Sequence, residues 1–187
     1  MDNKRLFDLV IVIVCLPVVL PIYLVSVLLL AIFQGTPIHF SQKRVGKGEE
    51  EFLILKFRSM TNNPAQSGSF QTKVNDERIT KIGKYFRTLS LDEIPQLLNV
   101  LKGDMSIIGP RPFLLAQKGN YDRRLWEKRL EVKPGITGLA QVSGRSNCPV
   151  EKRIQLDIEY IGSQSLILDL RILLRTILIV FLRKDSN

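Results

Sequence analysis

The sequence predicts an α/β protein, mostly α, in which an N-terminal re-entrant membrane helix carries a compact cytosolic domain with amphipathic helices at the membrane interface. Three observations predict it. No Asp, Glu, Lys or Arg occurs from Leu9 to Gln42. After that run, short strand-length apolar stretches alternate with helical spacing of apolar residues and Gly/Pro turns. Near the end, a Leu-rich stretch over 166–183 carries Arg171 and Arg175 on one helical face. A chain of 187 residues holds one domain plus an anchor. The division is residues 1–36 as helix–break–helix anchor and 37–187 as the cytosolic, membrane-associated domain.

The anchor is read from its core and its flanks. Residues 9–33 would reach about 37 Å as one helix, against a hydrocarbon core of about 30 Å. Pro17 and Pro21 lie near the middle, and each removes a backbone donor and crowds the preceding turn. Both flanks are basic: Lys4 and Arg5 before, Lys43, Arg44 and Lys47 after. Basic flanks mark the cytoplasmic side, so both ends are expected there, with a break at the prolines. The core is too long for a cleaved signal and no cleavage site precedes the first charges.

The later elements follow in order. Residues 52–60 read as a strand ending in basic residues, and 61–75 as a polar surface loop. Residues 76–89 have helical spacing. A second helix runs from about Asp92 to Lys102, stopped by Gly103. Residues 106–112 read as a rigid turn, 120–131 as a charged helix, 133–138 as another turn, 139–142 as a short strand and 150–162 as a helix.

Composition narrows the chemistry. The net charge of +9 suits nucleic acid, anionic membrane or phosphate-bearing substrates. Beside a membrane segment, headgroups and phosphates are the better partners and nucleic acid is not expected. Cys15 and Cys148 form no CxxC or Cys/His cluster, which argues against a disulfide framework or a zinc site. His39 is the only histidine and sits beside the apolar run, where a packing role is expected. No P-loop and no GxGxxG occurs.

The most informative stretch is Arg87 to Gln96, where Asp92 and Glu93 open an amphipathic helix. One reading is purely structural: Ser90 caps, Glu93 closes a capping box, and the acids offset the helix dipole. The surroundings favour chemistry. Arg87 lies just upstream, and Pro110-Arg111-Pro112 fixes an arginine between two locked prolines. Lys56, Arg58 and Arg145 add phosphate-sized positive charge at element ends and turns. A carboxylate can attack phosphorus and form an acyl-phosphate, while cations offset the charge of a diphosphate donor.

These stretches resemble the small monotopic phosphoglycosyl transferases, the bacterial sugar transferase family. The matches are Lys4 to Asp8, Gln42 to Gly46, Lys56 to Met60, Asp76 to Gly83, Ser90 to Val100, Lys102 to Pro112 and Lys133 to Arg145. The resemblance implies transfer of a sugar-1-phosphate from a UDP-sugar to a polyprenyl phosphate, undecaprenyl phosphate in particular, with release of UMP. It implies Asp92 as the nucleophile, Glu93 assisting, and Mg²⁺ held at Asp92 and Glu93. Arg87, Pro110, Arg111 and Pro112 would bind the donor, with Gln141 and Arg145 as weaker candidates nearby; Lys56 and Arg58 join them as substrate-binding candidates on their charge alone. The location implied is the cytoplasmic face of the bacterial inner membrane, among membrane lipids, with homodimerisation left open. One departure is visible: the family's Ser-Pro at the helix break is Leu20-Pro21 here, with Pro17 one turn earlier. Two other readings compete. A glycosyltransferase to a lipid carrier would release UDP, and a non-catalytic basic membrane adaptor would need no nucleotide. The transferred sugar is not legible, and residues 61–75 and 146–150 are candidates for selecting it.

Overall fold

Without nearby charges, an apolar run satisfies its polar backbone groups internally, and Asn3–Gln34 does so as a single helix, α1. The computed structural model describes residues 2–61, 76–144 and 149–182. Asp2 caps α1 by accepting from the Lys4 amide. Pro17 and Pro21 lie inside the helix, which continues through both, so the expected helix–break–helix is not drawn as two helices. Each proline removes one donor, at the expense of the Ile13 and Pro17 carbonyls, while the flanking turns keep theirs. By length and composition α1 could cross a membrane.

The helix is held at both ends. Asp8 and Val12 are buried near its start, Ser26 and Leu30 near its end, and Ile13 to Val18 between them are exposed. At the start, Lys4 pairs with Asp169 at 2.7 Å, and Asp8 accepts from the Ser106 hydroxyl and the Ile107 amide. At the end, the Tyr23 hydroxyl meets His39 Nε2 at 2.8 Å, and the Phe57 ring stacks with His39 and lies tilted against Tyr23. His39 thus takes the packing role expected of it.

β1 (His39–Val45) and β2 (Glu51–Phe57) pair antiparallel, with Phe40 opposite Lys56. The free edge of β2 meets α3 (Gln96–Lys102) through one side chain. Asn99 accepts from the Leu55 amide at 3.0 Å and donates to the Leu53 carbonyl at 2.8 Å, standing in for a neighbouring strand. α2 (Lys81–Thr88) is capped by Thr80, which accepts from the Gly83 amide. α3 ends at Gly103, whose φ of 95° only glycine adopts readily.

β3 (Ser106–Ile108) and β4 (Gly135–Thr137) form a parallel pair where turns were expected. Each strand is three residues beside Pro and Gly, and turn chemistry dominates so short a window. Gly109 and Gly135 pack backbone to backbone, and a Cβ on Gly135 would lie 2.1 Å from the Gly109 nitrogen. α4 (Arg123–Arg129) is capped by Asp122. Leu139–Gly144 is a helix, α5, and not the predicted strand: four apolar-rich residues carry no usable period. α6 (Val150–Gly162) and α7 (Leu166–Phe181) complete the described chain. The protein is mostly helical, with two small sheets among the described residues.

Two cores form. Val12 joins Ile54, Val100, Met105, Ile108, Tyr160 and Ile172, whereas Leu30 joins Phe57 and Phe86. α7 turns Asp169 and Ile172 inward and leaves Ile167, Leu170, Leu174, Ile177 and Leu178 exposed. That apolar outer face, with Arg171 and Arg175 beside it, is what an interfacial helix presents.

Candidate active site

Asp92 and Glu93 lie in a 3₁₀ turn, Leu91–Glu93, between α2 and α3. The turn is entered through Ser90, which is left-handed at φ 55° and ψ 21°. Holding a serine there costs on the order of 1–3 kcal/mol, and such outliers gather at functional sites. Ser90 occupies the N-cap position but makes no side-chain capping bond, so the expected capping box is not formed. Pro95 follows as the N-cap of α3, where its missing donor matters little.

The two acids differ sharply. Asp92 is 6% exposed, and among the described residues its carboxylate accepts no hydrogen bond. Burial pushes its pKa up, and the charge of Glu93 adds to this, while Lys56, Arg87 and Arg111 pull the other way. Glu93 Oε1 instead accepts from Lys56 Nζ at 2.8 Å and from Arg111 at 2.9 Å. Burial would raise the Glu93 pKa too, but the two cations outweigh it and hold the carboxyl well below the usual range. Glu93 is therefore an anion that aims Lys56 and Arg111, and Asp92 is a buried carboxylate with cations near it and, among the described residues, no hydrogen bond.

Arg111 stands on a rigid turn. Its flanking prolines lack amide donors and fix their own φ. The four consecutive carbonyls from Pro110 to Phe113 are all taken: by the Gly135 amide at 2.9 Å, Arg129 at 3.0 Å, Arg44 at 3.3 Å and the Val45 amide at 2.9 Å. Arg44 also donates to Gln42, and burial lowers its pKa to about 10.

The predicted residues separate accordingly. Asp92, Glu93, Lys56, Arg87 and Arg111 come together, with Pro110 and Pro112 framing Arg111. Arg58 does not join them. Its guanidinium is buried against the carbonyls of Gln34, Gly35 and Thr36, the exposed C-terminal end of α1. Gln141 lies on α5 beside Gly138, and its buried amide has no hydrogen-bond partner. Arg145 lies outside the described residues, as do most of the proposed sugar-selecting positions. Sequence reasoning missed Arg44, Arg129 and Asp157. Arg44 sits in the Gln42 to Gly46 stretch, whereas Arg129 and Asp157 are ordinary charges on charged helices and carry no local signal.

The resemblance implies Mg²⁺, and the donors present suit it. No group of three or more His, Cys, Asp or Glu that could cage a metal occurs among the described residues. Two adjacent carboxylates, one without a hydrogen bond, match an ion that binds through one or two carboxylates and completes its shell with water and substrate phosphate.

Comparison with known proteins adds independent information. The family model described as bacterial sugar transferase matches residues 2–183. An uncharacterized sugar transferase of Bacillus subtilis, EpsL, is 43% identical over 93% of this chain and 85% of its own length. The UDP-N-acetylgalactosamine-undecaprenyl-phosphate N-acetylgalactosaminephosphotransferase of Aeromonas hydrophila is 41% identical over 93% of this chain. The UDP-glucose:undecaprenyl-phosphate glucose-1-phosphate transferase of Klebsiella pneumoniae is 39% identical over 98% of it. This chain spans only 42% and 41% of the length of the latter two.

Proposed function

The chain belongs to the bacterial sugar transferase family, and from that premise we propose that it moves a sugar-1-phosphate from a UDP-sugar to a polyprenyl phosphate, releasing UMP. The acceptor is taken as undecaprenyl phosphate, the carrier in the names of the Aeromonas and Klebsiella relatives. The observation that carries this reading is Asp92: a buried carboxylate that, among the described residues, makes no hydrogen bond and lies near the charges of Lys56, Arg87 and Arg111.

The steps follow from that geometry. An Asp92 oxygen attacks the sugar-bearing phosphorus of the donor, the Oδ–P bond forms, and the bridging oxygen leaves with UMP. Arg111 and Lys56, already aimed by Glu93, face the charge that develops on the phosphoryl oxygens. The acceptor phosphate then attacks the same phosphorus, and the Oδ–P bond breaks to return Asp92. When bound, Mg²⁺ at Asp92 and Glu93 would offset phosphate charge. Low solvent exposure protects the acyl-phosphate from hydrolysis between the steps.

The membrane reading belongs to the same proposal. Residues 1–36 enter and leave the inner membrane on the cytoplasmic side, and residues 37–187 work at that face. What supports it is that both ends of α1 bond the same domain, Lys4 to Asp169 and Gln34 to Arg58 and Thr80, while its middle is exposed. A helix passing from side to side would carry Lys4 and Gln34 to opposite surfaces.

The test is the nucleotide product. Purified protein with a UDP-sugar panel, Mg²⁺ and undecaprenyl phosphate in detergent is expected to release UMP with one or a few of the sugars. Asp92→Asn is expected to lower turnover by at least about 10³-fold with the fold intact. UDP as product, or near-normal turnover by the variant, overturns the mechanism.

A further inference from the structure

Arg129 and Asp157 are buried, at 7% and 3% exposure, and among the described residues their hydrogen bonds reach the groups assigned to the reaction at one backbone atom. Arg129 donates to the Arg111 carbonyl at 3.0 Å, and pairs with Asp157 on α6 at 2.7 Å. Its guanidinium carbon lies 3.5 Å from the centroid of the Phe113 ring. We propose that Arg129 and Asp157 are positioning residues that set the Pro110–Phe113 turn so that the Arg111 side chain reaches Glu93 beside Asp92. The inference rests on the reading of the site given above.

The geometry argues for it in three steps. Prolines at 110 and 112 fix φ at their own positions but leave ψ and the turn's approach to the neighbouring elements undetermined. That approach is set by what takes the carbonyls. Gly135 and Val45 do so from neighbouring backbone, but Arg44 and Arg129 do so from side chains. Second, Arg129 grips the turn twice, at the Arg111 carbonyl and over the adjacent Phe113 ring, so its placement fixes both the position and the tilt of the segment that carries Arg111. Third, a buried guanidinium needs a buried partner, and Asp157 supplies it from another helix. Replacing such a pair by well-packed apolar residues is often neutral or stabilising, so stability alone does not account for it. The contacts run from Asp157 to Arg129, to the Arg111 backbone, to the Arg111 side chain and to Glu93. Misplacing a catalytic group by about 1 Å can cost about 100-fold in rate, which sets the scale expected of this chain of contacts.

The charge state of Asp157 gives a readout that a structural role would not. Burial pushes its carboxyl up to about 6, against the opposing pull of Arg129 on α4 and Arg153 on its own helix. Tyr121, before α4, is the other titratable group linked to it, and its own titration lies above the usual tyrosine value. Protonation of Asp157 as pH falls through about 6 is expected to remove the charge that pairs with Arg129.

The experiment uses the full chain in detergent with the donor that the UMP screen identifies. Asp157→Asn is expected to lower kcat/KM for the donor about 10- to 100-fold, with KM for undecaprenyl phosphate within twofold of wild type. Asp157→Glu should recover most of the loss. The ratio of wild-type to Asp157→Asn kcat/KM should be large at pH 7.5 and shrink towards one below about pH 5. Because both enzymes see the same substrate phosphates, the titration of those phosphates cancels in the ratio. Should Asp157→Asn fail to fold, Arg129→Lys decides the matter: it keeps a cation facing Asp157 but cannot span to the Arg111 carbonyl, and a similar drop is expected. A folded variant within twofold of wild type, or a ratio that does not change with pH, overturns the proposal. Failure of the underlying reading is separable, since it would appear as no UMP from wild type or as an active Asp92→Asn.

Discussion

Asp92 is buried and, among the described residues, makes no hydrogen bond, and its burial costs free energy whenever the group is charged. Its native pKa lies above its unfolded value, so the native state holds the proton more tightly. Stability is therefore gained as pH falls through the native pKa and is lower above it. Asp92→Asn removes the charge at the same shape. It is expected to raise the thermal midpoint at pH 7.5, by about 2–4 °C for each kcal/mol relieved. The gain should shrink to nothing in acid, where wild-type Asp92 is itself neutral. Calorimetry of both proteins across pH 4.5–8 checks this, and a variant less stable than wild type at pH 7.5 would contradict it. A site residue that destabilises the fold while abolishing turnover on removal is the expected mark of a group held for chemistry. Much of the site was legible at this scale. Adjacent acids, an arginine locked between prolines and a lysine at a strand end are unusual locally, and they meet. The place of Arg58 was not legible, because its partners, the carbonyls of Gln34, Gly35 and Thr36, lie more than twenty residues earlier. Arg129 and Asp157 were missed for the same reason, since nothing near them in the chain marks the turn they hold.

Elements here are joined by single polar side chains that serve as substitutes for backbone. Asn99 completes the edge of β2, and Arg58 completes the C-terminus of α1. Lys56 and Arg58 leave the same end of β2, and they serve opposite purposes. Lys56 bonds Glu93, whereas Arg58 bonds the helix. Hydrogen bonds to charged groups are worth about 1.5–3 kcal/mol each, so Arg58→Gln should lower the thermal midpoint by several degrees. Donor KM of the folded fraction should stay within twofold. Lys56→Gln should do the reverse, with a change of a few degrees at most and a loss of about 10²-fold or more in kcat/KM for the donor. Thermal melts with donor kinetics on both variants distinguish them; equal effects on both measurements would mean that Arg58 works in the site after all. Long elements were readable: β2, α3, α4, α6 and α7 lie close to where their apolar spacing put them, and α1 covers the apolar run but without the break expected at its prolines. β3, β4 and α5 were not. Three to six residues hold less than two turns or two pleats, and their structure comes from Gly109, Gly135 and Gly138 letting backbones meet at close range.

The whole molecule is organised by where its apolar surface is left uncovered. Ile13, Val14 and Val18 on α1 are more than 60% exposed, as is Ile167 on α7, and neither helix buries these residues against the protein. A chain with a net charge of +9 and such surfaces fits an anionic bilayer face, where apolar side chains enter the acyl boundary and basic ones meet headgroups. The polar contacts tie both ends of α1 to the same domain. Lys4, Arg5 and Asp8 fasten the start of α1 to α3, β3 and α7, whereas Gln34 and Tyr23 fasten its end to β1, β2 and the residues before α2. Burying Lys4 against Asp169 makes sense only if the start of the helix stays on the side where the domain folds. The re-entrant reading therefore predicts one result at both ends. With Cys15 and Cys148 replaced, single cysteines at Asn3 and Lys47 are each expected to resist an impermeant thiol reagent added outside intact cells. Both should react once the inner membrane is opened. Labelling of Asn3→Cys alone in intact cells would mean a true crossing. It would require the Lys4–Asp169 and Asp8–Ser106 contacts to be absent in the membrane, since they cannot form across a bilayer. Charge reversal supplies the complementary check: Asp169→Lys should loosen the start of α1 and make Asn3→Cys more reactive in opened membranes, leaving Lys47→Cys as it was.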